Sequence, residues 1–140
     1  MRGLWHDLAD QLTGLVSHDA LALIAWMGFG AIFFLSGRTK VEGWLTVAEG
    51  TYTLLRDEYK LPLIPVEIAG HAAAWAEHLF PLLLMLGLFT RLSALALLGM
   101  TLVIQLFIYP DAWPTHLSWA GLLMYLGGRG AGTLSLDRLL

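Results

Sequence analysis

The sequence predicts an all-α integral membrane protein. Its single domain, residues 1–140, is an antiparallel four-helix bundle with an amphipathic interfacial helix between helices one and two. Three observations predict this class. Hydrophobic residues make up 57% of the chain and charged residues 14%, against roughly 45–50% and about 25% in soluble domains. A 15.4 kDa chain with mean hydropathy +0.67 has too little interior to hide that excess from water. Residues 20–37 and 92–110 carry no charged side chain, and each reaches the roughly 17–25 residues that cross hydrocarbon.

Leu4, Trp5, Leu8, Leu12, Leu15 and Val16 recur at helical spacing opposite Asp7, Asp10 and Gln11. They predict a short amphipathic helix at the membrane surface. Arg2, Asp7 and Asp10, with no small-residue cleavage site, do not form a secretory signal. The first apolar stretch is therefore expected to stay as an anchor. That stretch, residues 20–37, is helix one, where Gly28 and Gly30 offer close approach to a neighbour. Val41, Trp44, Leu45, Ala48, Tyr52 and Leu55 share one helical face, with Glu42, Glu49 and Arg56 on another. This predicts the interfacial helix over residues 41–56, with Trp44 and Tyr52 in the headgroup belt. Pro62 and Pro65 then forbid a continuous helix over 60–65.

Helix two is expected over 68–90, long enough to cross but unusually polar, with His71, Glu77, His78 and Pro81. A tight turn at Arg91 leads to helix three, 92–110, whose one strongly polar residue is Gln105. The turn at residues 110–114 precedes helix four, 115–128, with His116 and Trp119 in its first turns. The glycine-rich tail is expected to be flexible at first and then interfacial. Orientation is weakly encoded: Arg2, Arg91, Arg129 and Arg138 lie on the side of the termini, and Arg38, Lys40, Arg56 and Lys60 on the other. Cytoplasmic termini are favoured because Arg91 occupies a tight loop and residues 111–114 contain no basic residue.

Several function classes fall away. The chain has no cysteine, so it has no disulfide, thiolate metal site or dithiol relay of its own. Net charge is −3, and no basic block marks a nucleic-acid partner. No Gly-rich phosphate loop or nucleophile constellation stands out.

Four segments carry a family likeness: Phe34-Leu-Ser-Gly-Arg-Thr-Lys40, Glu77 within helix two, Leu86-Gly-Leu-Phe-Thr-Arg-Leu92, and Leu134-Ser-Leu-Asp137. In this order around four hydrophobic helices, the chain resembles the DoxX family of small bacterial membrane proteins over about residues 20–137. The segment around residues 57–65 is similar to a proteobacterial branch. The resemblance implies the fold and a bacterial inner-membrane location. It also implies kinship with a membrane subunit of a thiosulfate:quinone oxidoreductase and with membrane partners in stress systems. Fold carries over between such relatives more readily than chemistry.

Helix two carries the most chemistry. An intramembrane carboxylate and two histidines are costly in lipid and should face the interior. Glu77 is the expected centre, with Lys40 as its charge partner and Arg38 as the alternative. Pro81 cannot donate to the Glu77 carbonyl, which should be left free. Two readings of the remaining polar residues stand open. His71, Glu77, His78, Gln105 and the tryptophans can furnish the polar contacts and proton relay of a quinone-like pocket, or they can be polar glue between helices. Haem or copper held by His71, His78 and His116 is a weaker candidate, since residues seven apart lie about 10 Å apart along a helix. Met27, Met85, Met100 and Met124 read as packing. The leading expectation is an accessory or redox-associated subunit that binds a quinone-like or other small apolar molecule. A metal-handling protein or transporter, and a structural anchor for soluble partners, are the rivals. The bilayer, a redox partner protein and a second copy of the chain are the expected partners.

Overall fold

The computed structural model describes residues 2–59 and 62–140. Lys60 and Leu61, at the start of the expected irregular stretch, and Met1 lie outside the described residues. The chain is almost wholly helical: α1 (Arg2–Leu15), α2 (His18–Arg38), a hairpin of β1 (Val41–Glu42) and β2 (Thr46–Val47), α3 (Glu49–Leu54), α4 (Val66–Leu86), α5 (Thr90–Phe107) and α6 (Trp113–Arg129). A π-helical turn, Leu55–Tyr59, extends α3. Short 3-10 turns precede α6 and close the chain.

Local chemistry sets the boundaries. Ser17 caps α2 by accepting from the Ala20 amide at 3.2 Å. Gly87 (φ +64) ends α4 in a left-handed cap, with Leu88 N–H donating to the Leu83 carbonyl. Phe89 also adopts positive φ (+49), a conformation unfavourable for a bulky side chain. A distant carboxylate holds it there. Phe89 and Thr90 amides donate to Asp137 Oδ1 (2.6 Å) and Oδ2 (2.9 Å), while the Asp137 amide donates to the Gly87 carbonyl at 2.8 Å. The α4–α5 turn and the C-terminal segment thus cap each other.

The expected helix over 41–56 is corrected. Val41 pairs with Val47 and Glu42 with Thr46 across a turn where Gly43 has φ +66. Arg38 Nη1 and Nη2 donate to the Trp44 and Gly43 carbonyls at 2.9 and 2.7 Å. The turn acceptors are therefore satisfied without a helix, and the β-branched residues favour strands. Helix begins only at Glu49. The tail, expected to be flexible, is tied down as well: Thr133 N and Oγ1 donate to Asp19 Oδ1 (2.9 Å) and Oδ2 (2.6 Å).

The long helices pack in a closed cycle, α2 on α4, α4 on α5, α5 on α6 and α6 back on α2. Phe29, Phe33, Leu84, Leu97, Leu123 and Leu126 fill the centre, and Trp119 meets Phe33 edge-on at 5.5 Å. Many large apolar side chains point outward instead, among them Ile24, Leu79, Leu92, Leu102 and Leu117. Among the described residues, α2 and α5 are long and apolar enough to cross a membrane by length and composition. Only 28% of the α5 span is buried, unlike the core helix of a soluble protein. α4 is interrupted by polar residues, and α6 has 17 residues.

α2 and α4 run antiparallel and strongly staggered. A Cβ on Gly30 would lie 3.0 Å from the Pro81 carbonyl oxygen, and one on Gly37 2.9 Å from the Glu77 carbonyl oxygen. The glycines of close approach are Gly30 and Gly37; Gly28, expected to share this role, faces open space. α2 therefore ends opposite the middle of α4, whose residues 66–76 run on for about 16 Å. The hairpin and α3 take over that surface, with Val41, Val47 and Tyr52 packed on Ala74.

Candidate functional site

The stagger brings the first site together. After α2 the chain turns sharply, the Lys40 amide donating to the Gly37 carbonyl at 3.0 Å. The Lys40 carbonyl accepts from Ala48 N (3.0 Å) and from Thr51 Oγ1 (2.8 Å). With its backbone so held, Lys40 Nζ reaches inward to Glu77 Oε2 at 2.8 Å and to Ser36 Oγ at 3.1 Å. Glu77 is 3% exposed. Such a pair, desolvated and hydrogen-bonded, resists loss of either partner much more than a surface pair. The expected pairing is present. Arg38, the alternative partner, serves the hairpin instead.

The expected free carbonyl has a structural outlet. Pro81 leaves the Glu77 carbonyl without its helical donor, and that oxygen lies against the bare backbone of Gly37. A side chain at residue 37 would also meet the His78 ring. The His78 Nδ1 donates to the Ala74 carbonyl at 2.6 Å, which leaves Nε2 as an acceptor; Nε2 is buried without a protein partner. Phe34 closes over this ring edge-on.

The other expected site residues do not join this pair. His71 Nε2 contacts the Tyr52 hydroxyl at 3.2 Å. The imidazoles of His71, His78 and His116 are engaged by three different partners. Among the described residues, no three His, Cys, Asp or Glu side chains converge as a metal site.

Gln105 and His116 form a second site, between α5 and α6. Gln105 Nε2 donates to the Pro110 carbonyl at 2.9 Å. Its Oε1 is therefore the acceptor for His116 Nδ1–H at 2.7 Å. That assignment leaves His116 Nε2 as a hydrogen-bond acceptor. Both side chains line an open groove of about 640 Å³ whose remaining wall is mainly apolar, including Leu98, Leu102, Trp113 and Leu117. Gly99 lies on the same wall, with open space where a side chain would be. One polar pair within an apolar slot is the usual make-up of a small-molecule site.

Two further pairs were not anticipated. Tyr59 and Tyr109 hydroxyls meet at 3.0 Å. Burial, and then the bond to Tyr109, push the Tyr59 phenol up, with the carboxylates of Glu58 and Glu77 adding to it. At the opposite end, the Tyr125 hydroxyl and His18 Nδ1 are in hydrogen-bond contact. Both pairs join residues more than forty positions apart, and no local pattern marks them.

A relative from Haemophilus influenzae (strain ATCC 51907 / DSM 11121 / KW20 / Rd), described as an uncharacterized protein, is 36% identical over 118 residues, covering 77% of this chain and 75% of its own. No solved structure matches. The DoxX family model matches residues 21–110, which take in the α2–α4 seam, the Lys40–Glu77 pair and all of α5. The chain belongs to the DoxX family.

Proposed function

We propose that this chain is a multi-pass, single-domain protein of the bacterial inner membrane. In this reading α2, α4, α5 and α6 cross the bilayer as an antiparallel bundle, with both termini cytoplasmic. It serves as an accessory subunit of a membrane redox system and binds a quinone-like molecule in the α5–α6 groove. The observation that carries the reading is that groove, an apolar slot with the Gln105–His116 pair in its wall. The outward-facing leucines of α5 and α6 support contact of its mouth with lipid, from which an apolar ligand would enter. Family membership supports the membrane setting.

The hydrogen-bond roles sharpen the ligand. A neutral His116 presents an acceptor at Nε2, so it suits a hydroxyl donor such as that of a quinol. A quinone carbonyl would need a donor, which protonated His116 or the Trp113 indole can supply. The test is purification in mild detergent followed by solvent extraction. Quinone or quinol should co-purify with the protein, and His116→Ala should lower its retention about tenfold, the worth of one good hydrogen bond. Quinone-free protein that co-purifies only with another polypeptide would contradict the reading and favour a structural anchor.

A further inference from the structure

We propose that Arg91, Arg129 and Arg138 form a binding site for a phosphate group, carried by an anionic phospholipid of the surrounding leaflet. The three arginines come from the first turn of α5, the last turn of α6 and the C-terminal 3-10 turn. They line one cleft of about 480 Å³ at the end of the molecule opposite Lys40 and Glu77. This site is separate from the α5–α6 groove. It rests only on the membrane-spanning part of the proposed function.

The charges in the cleft are poorly compensated. Among the described residues, the Arg91 and Arg129 side chains have no hydrogen bond or ion pair, and the Arg138 side chain has one bond, from Nη1 to the Thr133 carbonyl at 3.3 Å. Among the described residues, Asp137 is the one carboxylate lining the cleft, and its oxygens already accept the Phe89 and Thr90 amides. Three guanidinium groups therefore face one occupied carboxylate. Guanidinium donors match phosphate oxygens in charge and geometry.

Backbone shape keeps the cleft open. Gly130 (φ +78) lies under the Arg91 guanidinium, 3.3 Å from Nε at the position a Cβ would take. The rim favours a lipid over a free anion: Phe89 and Leu92, both lining the cleft, are exposed apolar side chains beside the arginines. Acyl chains can lie along them while the headgroup phosphate meets the charges. Basic pockets between membrane helices are suited to such headgroups.

The test uses the full chain, delipidated in a neutral detergent, with native mass spectrometry and thermal unfolding as readouts. Short-chain phosphatidylglycerol, phosphatidylethanolamine and inorganic phosphate are added in parallel. Phosphatidylglycerol should bind saturably and more tightly than phosphatidylethanolamine, and weaken as salt is raised. Each of Arg91→Gln and Arg129→Gln should weaken it about fivefold, while Arg56→Gln, at the other end, should leave it unchanged. Competition by millimolar phosphate, lost in the same variants, would support the phosphate chemistry but overturn the lipid source. Equal binding of the two lipids, insensitive to salt in the unaltered protein, would overturn the proposal even if the variants failed to fold.

Discussion

The α2–α4 seam and the α5–α6 groove are built from the same kinds of helix and end in opposite ways. At the seam, Gly30 and Gly37 let two backbones meet. The closure excludes water from Glu77, so the carboxylate must be answered by Lys40 from within the protein. Along the groove, Leu95, Leu98, Leu102 and Leu117 line an open space, and Gly99 lies on its wall with no side chain to fill it. The polar groups there, Gln105 and His116, satisfy each other and leave one acceptor over. Charge is thus placed where the packing is closed, and unused hydrogen-bonding capacity where it is open. The seam closes around its ion pair, and the groove stays open.

The largest effect should come from breaking the seam's ion pair. Glu77→Gln strands Lys40, and Lys40→Met strands Glu77. Each should cost about 3 kcal/mol of stability, read by unfolding in detergent. The double variant should cost clearly less than the sum of the two. Additive losses would show that the contact contributes little.

Next in size is Gly37→Ala, whose methyl would press on the Glu77 backbone and Cβ at 2.9 Å. It should cost about 2 kcal/mol. Gly28→Ala, on the same helix but facing open space, should be neutral or stabilising by up to about 1 kcal/mol. Equal effects at the two positions would mean that α2 and α4 do not meet as described.

Asp137→Ala removes both amide contacts at the start of α5 and should cost about 1–2 kcal/mol. It leaves Phe89 in positive φ with nothing to hold it. Hydrogen exchange at the Phe89 and Thr90 amides should rise in this variant and stay unchanged in Asp111→Ala.

The smallest effect is a pH dependence. The Tyr59 phenol is raised above its ordinary 10.0 by burial and by Tyr109. A raised folded-state value gives stability that is fully present below the unfolded value and is lost as pH climbs toward the folded one. The Tyr59 contribution to stability should therefore be flat below pH 10 and decline above it, and Tyr59→Phe should reduce the decline. The absorbance of phenolate in the folded protein should lack one early-titrating tyrosine relative to the unfolded chain.

The sequence makes some of this legible and hides the rest for physical reasons. Apolar runs disclose α2, α4, α5 and α6 to within a few residues. Glu77 discloses a cationic partner, because a charge in that setting rarely stands alone. The hairpin at 41–47 is hidden because its apolar residues also fit a helical face, and only the Gly43 turn and the Arg38 bonds decide between them. The pairing of Asp137 with the α4–α5 turn joins two motifs read separately in the sequence, and their adjacency exists only once the chain has folded. The Gln105–His116 pair is hidden likewise, since two helices and a turn must close before they meet. The sequence groups Gln105 with His71, Glu77 and His78, and His116 with His71 and His78; neither grouping contains the Gln105–His116 contact.

On the proposed function, the groove binds the quinone-like molecule and the seam does not. One comparison tests it most directly: the amount of quinone retained per protein by Gly99→Leu and by the Lys40→Met/Glu77→Gln double variant, each checked for folding. Gly99 meets open space on the groove wall, so a leucine there should fill the slot, keep or raise helix stability and abolish retention. The double variant should retain quinone like the unaltered protein. Retention that survives Gly99→Leu and disappears with the double variant would place the ligand at the seam and contradict the account.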